Sequence, residues 1–276
     1  MTFAATPIAF IGGGNMASAI LGGLLREGLD PKLVDVVDPG APARERLARE
    51  FGVTVHETAG AALARSAIVV WAVKPQIFRD AARAAAPHTS RALHLSVAAG
   101  IRSDSIAAWT GSERIVRSMP NTPALVGLGM TALYARSAVS AEDRNVVQQV
   151  LAPTGATLWV PQEQQLDAVT ALSGSGPAYV FYFIEAMTRA GVEMGLPEEQ
   201  AQALAIGTFR GASELARSSQ EPPAVLRERV TSKGGTTYAA LTSMDESRVA
   251  DHFVQAMHAA CRRAAELGDE FGRDAT

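Results

Sequence analysis

From Pro7 to about Val160, short β-rich apolar runs alternate with stretches of helical period, the pattern of a parallel sheet with crossover helices. The runs predict strands at Ile8–Ile11, Leu33–Val37, Val53–Val55, Ala67–Val73, Leu93–Ala98, Arg114–Ser118, Met130–Tyr134 and Thr157–Val160. Between them the spacing predicts helices near Met16–Glu27, Ala43–Glu50, Ala59–Ala64, Ile77–Ala86, Ser103–Trp109 and Ala141–Leu151. Beyond about Gln162 the β-rich runs cease and helix follows helix, with breaks at Gly195-Leu196-Pro197 and Glu221-Pro222-Pro223. The expected organisation is therefore α/β: a doubly wound parallel sheet over residues 1–161, then an all-helical domain over residues 162–276. Ala201, Ala203, Ala205, Gly207, Gly211 and Ala212 let helices approach closely, and the apolar faces of so small a helical half point to burial against a second copy.

Composition narrows the function classes. With 276 residues, 47% of them hydrophobic and 19% charged, the chain can fill two moderate cores. A net charge of −3 with dispersed Lys and Arg argues against nucleic acid and anionic membranes as partners. No apolar run reaches the roughly 20 helical residues of a membrane span, and the N-terminal pattern lacks the features of a signal peptide. The single cysteine, Cys261, excludes an internal disulfide and reads as a small core residue, so a reducing, cytoplasmic setting is expected. His56, His88, His94, His252 and His258 show no metal-ligand spacing, and no metal is expected.

The chemistry starts at Gly12-Gly13-Gly14-Asn15-Met16-Ala17, a G-x-G-x-x-A fingerprint set between a strand and a helix. Gly12 permits the tight turn, Gly14 lets the backbone approach a pyrophosphate, and Ala17 lets the helix pack near the strand, its N-terminus facing the phosphates. Asp38, ending the second strand in Asp38-Pro39-Gly40, suits either a turn or a ribose hydroxyl. Its carboxylate would repel the extra phosphate of NADP unless Arg44 or the loop geometry offsets it. The strand before Lys74-Pro75-Gln76 and the strand before Ala98-Ala99-Gly100 both end at the carboxyl edge, where such folds bind ligands. Met119-Pro120-Asn121-Thr122-Pro123 sits at another strand end, and its two prolines give Asn121 a rigid frame for orienting a nicotinamide or substrate. Two segments are too rich in glycine and hydroxyls for helix interiors: Leu172–Pro177 and Val230–Thr237. Each suits either helix capping, with Ser175 and Thr236 as starters, or a carboxylate-binding nest of free N–H groups.

Six segments in order resemble the pyrroline-5-carboxylate reductase family, from Ile8 to about Gly268: Phe10–Ala17, Ala72–Gln76, Ser96–Gly100, Arg117–Pro123, Asp167–Tyr179 and Val230–Thr237. The resemblance implies a Rossmann domain, a helical dimerisation domain, intertwined dimers that build larger homo-oligomers, and NADP(H), with NAD(H) the alternative cofactor. It implies reduction of a small-molecule substrate, L-1-pyrroline-5-carboxylate, to L-proline, the last step of proline biosynthesis. By the same resemblance Gly12, Gly14, Asn15 and Met16 hold the pyrophosphate, and the fingerprint itself adds Gly13 and sets Asp38 at the ribose. Ala72, Val73, Lys74 and Pro75, then Ala98, Ala99 and Gly100, flank the nicotinamide. Asn121, Ser175, Gly234, Gly235, Thr236 and Thr237 bind substrate, and Ser232 and Thr237 are the catalytic pair. Three positions depart from the family: Lys233 where many members have proline, Ala59 where an asparagine often meets the ribose, and Gln220 where some have glutamate. Two other readings stay open here. A β-hydroxyacid-dehydrogenase-like enzyme would need a lysine that Pro177–Glu185 lacks. A non-catalytic dinucleotide-binding protein would need neither Ser232 nor Thr237.

Overall fold

The structure is a computed structural model that describes residues 6–272. Among the described residues eight strands form one sheet: β1 Ile8–Ile11, β2 Val34–Val37, β3 Thr54–His56, β4 Ile68–Trp71, β5 Leu93–Ser96, β6 Ile115–Met119, β7 Gly129–Ala135 and β8 Gly155–Trp159. Their order is β3-β2-β1-β4-β5-β6-β7-β8, so the order of strand addition reverses between β1 and β4, which pair in parallel. That switch point opens the ligand crevice of a doubly wound fold.

Period-two alternation explains why the sheet is buried on both sides. Ile8 and Phe10 face one core with Val34, Val36, Ile68, Val70, Leu93 and Leu95. Ile20, Leu21 and Leu24 of α1 (Asn15–Arg26) and Val147, Val150 and Leu151 of α5 (Ala141–Leu151) close that side. Ala9 and Ile11 face the other core with Val69, Trp71 and Ile115. There Phe78 and Ala82 of α3 (Pro75–Thr89) and Ile106 and Trp109 of α4 (Ser103–Thr110) complete the layer. Each large apolar side chain so buried contributes about 1.5–3 kcal/mol before entropy is counted.

Several expectations need correction. The sheet is not wholly parallel: β6 and β7 pair antiparallel, with Met119 opposite Ala132. Only a short 3₁₀ segment, Thr122–Val126, joins them, and a parallel crossover needs a far longer link. The helix expected at Ala59–Ala64 is a 3₁₀ turn, Ala61–Arg65. Helix α3 runs through Pro87, whose missing N–H costs one bond near the helix end, instead of stopping at Ala86. Cys261 is half-buried, not a fully buried core residue.

Residues up to Ser175, together with the chain from Ala260 onward, form one compact unit, and Gly176–Ala259 form a second. The first contains α2 (Ala41–Phe51), the sheet and its helices, and α6 (Gln165–Val169), which is followed by a π-helical turn at Thr170–Gly174. In the second unit α7 (Gly176–Glu193) packs against α8 (Glu198–Ser218), because Gly191 leaves room for Ala201, and Ala201 and Ala205 are buried. It continues through α9 (Pro223–Arg229) and α10 (Thr236–Glu246). The last helix, α11 (Val249–Gly272), begins in the second unit, where Phe253 meets Tyr179 and Phe183 edge to face, and ends in the first.

Candidate functional site

The turn between β1 and α1 is built by close backbone approach. Gly12 has φ +98°, and a Cβ there would lie 2.5 Å from the Ala72 carbonyl oxygen, so no other residue fits. A Cβ on Gly13 would meet Leu47 and sit 3.2 Å from Asp38 Oδ2. Gly14 differs: it is exposed, its backbone is extended, and a Cβ there would meet nothing within 4 Å. The protein's own packing gives no reason for glycine at position 14, whereas close approach by a ligand phosphate does. Gly14 is also the N-cap of α1 and offers no side chain to the first-turn N–H groups, which stay open to an anion. The residues present therefore fit a dinucleotide pyrophosphate.

Around that turn lie the other expected cofactor residues, all at the carboxyl ends of strands. Ala72 N–H donates to the Ile11 carbonyl (2.8 Å), and Val73 lines an apolar cavity of about 330 Å³ with Ile11, Val37, Pro39, Thr58 and Ala59. That size lies within the range of small-molecule sites, about 300–1,000 Å³. Lys74 is exposed at the N-cap of α3, ahead of Pro75 at its first position. A cation there opposes the helix dipole, so it is not placed for helix stability. Ala98 is buried, and its N–H donates to Ser96 Oγ (3.3 Å). Gly100 turns with φ +72°, and a Cβ there would press on Leu267 and Phe271 at 3.3 Å.

Asp38 is bound on both oxygens: Gly13 N–H donates to Oδ2 and Gly40 N–H to Oδ1, each at 2.8 Å. The bond from Gly40 is that of the expected Asp-Pro-Gly turn, and the bond from Gly13 ties that turn to the glycine-rich segment. The sequence reading missed Arg46, whose Nη2 donates to the Gly13 carbonyl (2.9 Å). Its signal was a basic residue two positions beyond Arg44 on α2.

The expected substrate residues are divided between the units. In the first, Asn121 Nδ2 donates to the Ser173 carbonyl (3.2 Å) and to its Oγ (3.3 Å), while Met130 N–H donates to Asn121 Oδ1 (3.0 Å). With both donors used, the amide ties β6, β7 and the π-turn together and retains one acceptor lone pair. The Leu172–Pro177 segment is no loop: Ser175 N–H donates to the Thr170 carbonyl (2.8 Å), closing the π-turn that leads into α7. The nest expected there therefore lacks the Ser175 N–H.

In the second unit, Ser232-Lys233-Gly234-Gly235 forms a tight turn, with Gly234 at φ +72° and Gly235 N–H donating to the Ser232 carbonyl (3.0 Å). Gly235, not Thr236, is the N-cap of α10, and no side chain caps it. Thr236 and Thr237 are the first helical residues, so their N–H groups have no carbonyl one turn back. Ser232, Lys233, Gly234 and Thr236 are exposed and Thr237 is half-buried.

Sequence reading also missed a buried anchor in the first unit. Glu163 accepts from Ser103 N–H and Oγ–H (both 2.6 Å) and from Arg117 Nη1 (2.7 Å), the side chains of Glu163 and Arg117 being 13% and 6% exposed. It ties the segment before α6 to the start of α4, and nothing in sequence spacing signals such a long-range pair.

With this geometry in view, the comparisons with known proteins are decisive. A pyrroline-5-carboxylate reductase of Pseudomonas aeruginosa is 45% identical over 96% of this chain and 98% of its own length. The chain belongs to the pyrroline-5-carboxylate reductase family. Residues 163–267 match the family model for pyrroline-5-carboxylate reductase dimerisation, and residues 7–100 match the model for coenzyme F420-dependent NADP oxidoreductases. Among solved structures, a family member from Coxiella burnetii superposes with a TM-score of 0.89 at 34% identity, covering 95% of this chain and 98% of that one. The Plasmodium falciparum pyrroline carboxylate reductase with NADP bound gives 0.85 at 29% identity, covering 96% and 99%.

Proposed function

We propose that this protein reduces L-1-pyrroline-5-carboxylate to L-proline with NAD(P)H. The observation that carries the proposal is the near-full-length relationship to the Pseudomonas aeruginosa enzyme, which spans both the dinucleotide turn and the Val230–Thr237 turn. NADP(H) is the cofactor we assign first, since the Plasmodium falciparum relative holds NADP and the Gly12–Met16 turn fits a pyrophosphate.

The reduced nicotinamide, when bound, supplies a hydride to the carbon of the ring C=N bond, while the nitrogen gains a proton. The chain's own residues position and polarise. Gly12–Met16 and the start of α1 hold the pyrophosphate, and Ala72–Pro75 with Ala98–Gly100 flank the nicotinamide. The N–H groups opening α10 and the Ser232–Gly235 turn hold the substrate carboxylate, a task suited to a helix start with no side-chain cap. The Thr237 hydroxyl hydrogen-bonds the ring nitrogen and relays a proton from water; a free hydroxyl is too weak an acid to act alone. An iminium accepts hydride far better than a neutral imine, so this hydrogen bond contributes to rate as well as orientation.

The helical unit exposes Phe181, Tyr182, Leu204 and Leu215, and a homodimer formed through such faces, assembling into a larger homo-oligomer, is the state we assign. Among the described residues no helix is long and apolar enough to cross a membrane, and we place the enzyme in the cytoplasm.

The test is oxidation of NADPH or NADH dependent on pyrroline-5-carboxylate, with Thr237→Ala beside the unsubstituted protein. The expected result is turnover that falls roughly 10²-fold or more in Thr237→Ala. An unchanged kcat and KM in that variant removes Thr237 from the mechanism, and no turnover with either cofactor removes the reductase proposal.

A further inference from the structure

The nucleotide corner carries a conflict. A carboxylate ending β2 ordinarily accepts the ribose hydroxyls of NADH and repels the extra phosphate of NADPH. The geometry around Asp38 resolves it. Both carboxylate oxygens already accept backbone N–H groups, from Gly13 and Gly40, at 2.8 Å. The carboxylate clasps the glycine-rich turn to the end of β2, and its charge faces two amide dipoles.

Two guanidinium groups flank this clasp, each held by a main-chain carbonyl. Arg44 Nη1 donates to the Asp38 carbonyl (2.8 Å), and Arg46 Nη2 donates to the Gly13 carbonyl (2.9 Å). Each also has an ion-pair partner that is well solvated: Arg44 Nη2 lies 3.7 Å from Glu57, whose side chain is 71% exposed, and Arg46 Nη1 lies 3.5 Å from Glu50, whose side chain is 45% exposed. Exposed pairs of this kind contribute little, roughly 0–1 kcal/mol, so they leave the cations available. Arg46 also donates to Ser18 Oγ (3.1 Å) and is the more committed to protein partners. Arg44 keeps further N–H donors. It stands beside the apolar cavity, whose wall includes Pro39 next to Asp38 and Glu57 next to Thr58 and Ala59.

We propose that Arg44 recognises the 2′-phosphate of NADPH, and that Asp38 is a clasp for the turn whose carbonyl aims the guanidinium. This rests on the dinucleotide reading of the proposed function, and deepens it by naming the residue that sets cofactor choice. A planar fork on a fixed carbonyl suits bidentate phosphate recognition, which a lysine at the same place would reproduce only in part. With one N–H on each oxygen, Asp38 keeps acceptor capacity for a ribose hydroxyl, and Arg44, held on the Asp38 carbonyl, offsets its charge toward the phosphate.

Fluorescence titration of the full chain with NADPH and with NADH, and competition by 2′,5′-ADP against 5′-AMP, test the proposal without turnover. The expected result is tighter binding of NADPH and of 2′,5′-ADP. In Arg44→Ala both should weaken at least tenfold, while NADH and 5′-AMP stay within about twofold and report that the corner is still folded. Arg44→Lys should recover part of the loss. Equal weakening of NADPH and NADH would make Arg44 merely structural and overturn the proposal, as would unchanged NADPH affinity in Arg44→Ala. Failure of the unsubstituted protein to bind either dinucleotide overturns the cofactor reading beneath it, a result distinct from loss of discrimination alone.

Discussion

His94 shows how one residue links packing to solution behaviour. It lies on β5 with no exposed surface, stacks on Trp71, and accepts a hydrogen bond from Trp71 Nε1–H at Nδ1 (3.1 Å). The proton of the neutral ring therefore sits on Nε2, which reaches no acceptor in good hydrogen-bond geometry among the described residues, and the nearby Thr89 main chain offsets the burial only in part. Burial disfavours the imidazolium and lowers the pKa from 6.5 to about 4. Because the folded value lies below the unfolded one, this group's contribution is intact above about pH 6.5 and is lost as pH falls toward 4. The total is on the order of 3 kcal/mol. Thermal unfolding of His94→Asn, which keeps an acceptor for Trp71 but cannot ionise, should show a lower Tm at neutral pH and a shallower decline from pH 6.5 to 4. Parallel declines for both proteins would remove His94 as the cause. Sequence alone marked His94 only as a histidine without metal spacing. Its buried stacking depends on the Trp71–His94 proximity created by β4 and β5, which local spacing does not encode.

At the scale of elements, local pattern was a good guide wherever one face of a strand or helix meets a core. The β1, α1 and α5 boundaries fall within a residue or so of the expected ones: Pro7 and the Gly12–Gly14 turn bracket the short apolar run of β1, and the helices carry a helical apolar period. Legibility failed where long-range contacts override local preference. The π-turn at Thr170–Gly174 is braced by Asn121 from the segment after β6, and glycine there tempts a loop assignment that the packed helix refuses. The glycine-rich turn separates two kinds of glycine, and the difference is testable. Gly12→Ala places a Cβ against a backbone carbonyl at 2.5 Å in a left-handed conformation, and should cost about 2 kcal/mol or more of stability. Gly14→Ala meets no protein atom, and should leave Tm nearly unchanged while weakening dinucleotide binding tenfold or more. Paired melting and titration experiments distinguish them. Equal cofactor affinity for Gly14→Ala and the unsubstituted protein would show that position 14 does not face the phosphates.

For the whole molecule, the shift from alternating strands to unbroken helix showed an α/β half and a helical half, and six ordered motifs named the family. What sequence did not show is how the chain divides in space: the end of α11 belongs with the sheet, and the segment through the π-turn does too. The residues assigned to substrate accordingly lie on both units, Asn121 and Ser175 on one and Ser232–Thr237 on the other. The most direct measurement is a single-turnover reaction of pyrroline-5-carboxylate with NADPH carrying deuterium on the transferable position of the nicotinamide, followed by mass and NMR analysis of the product. The account predicts L-proline with one deuterium at the ring carbon of the former C=N bond. Oxidised cofactor without labelled proline, or no reaction with a dinucleotide that demonstrably binds, would contradict it.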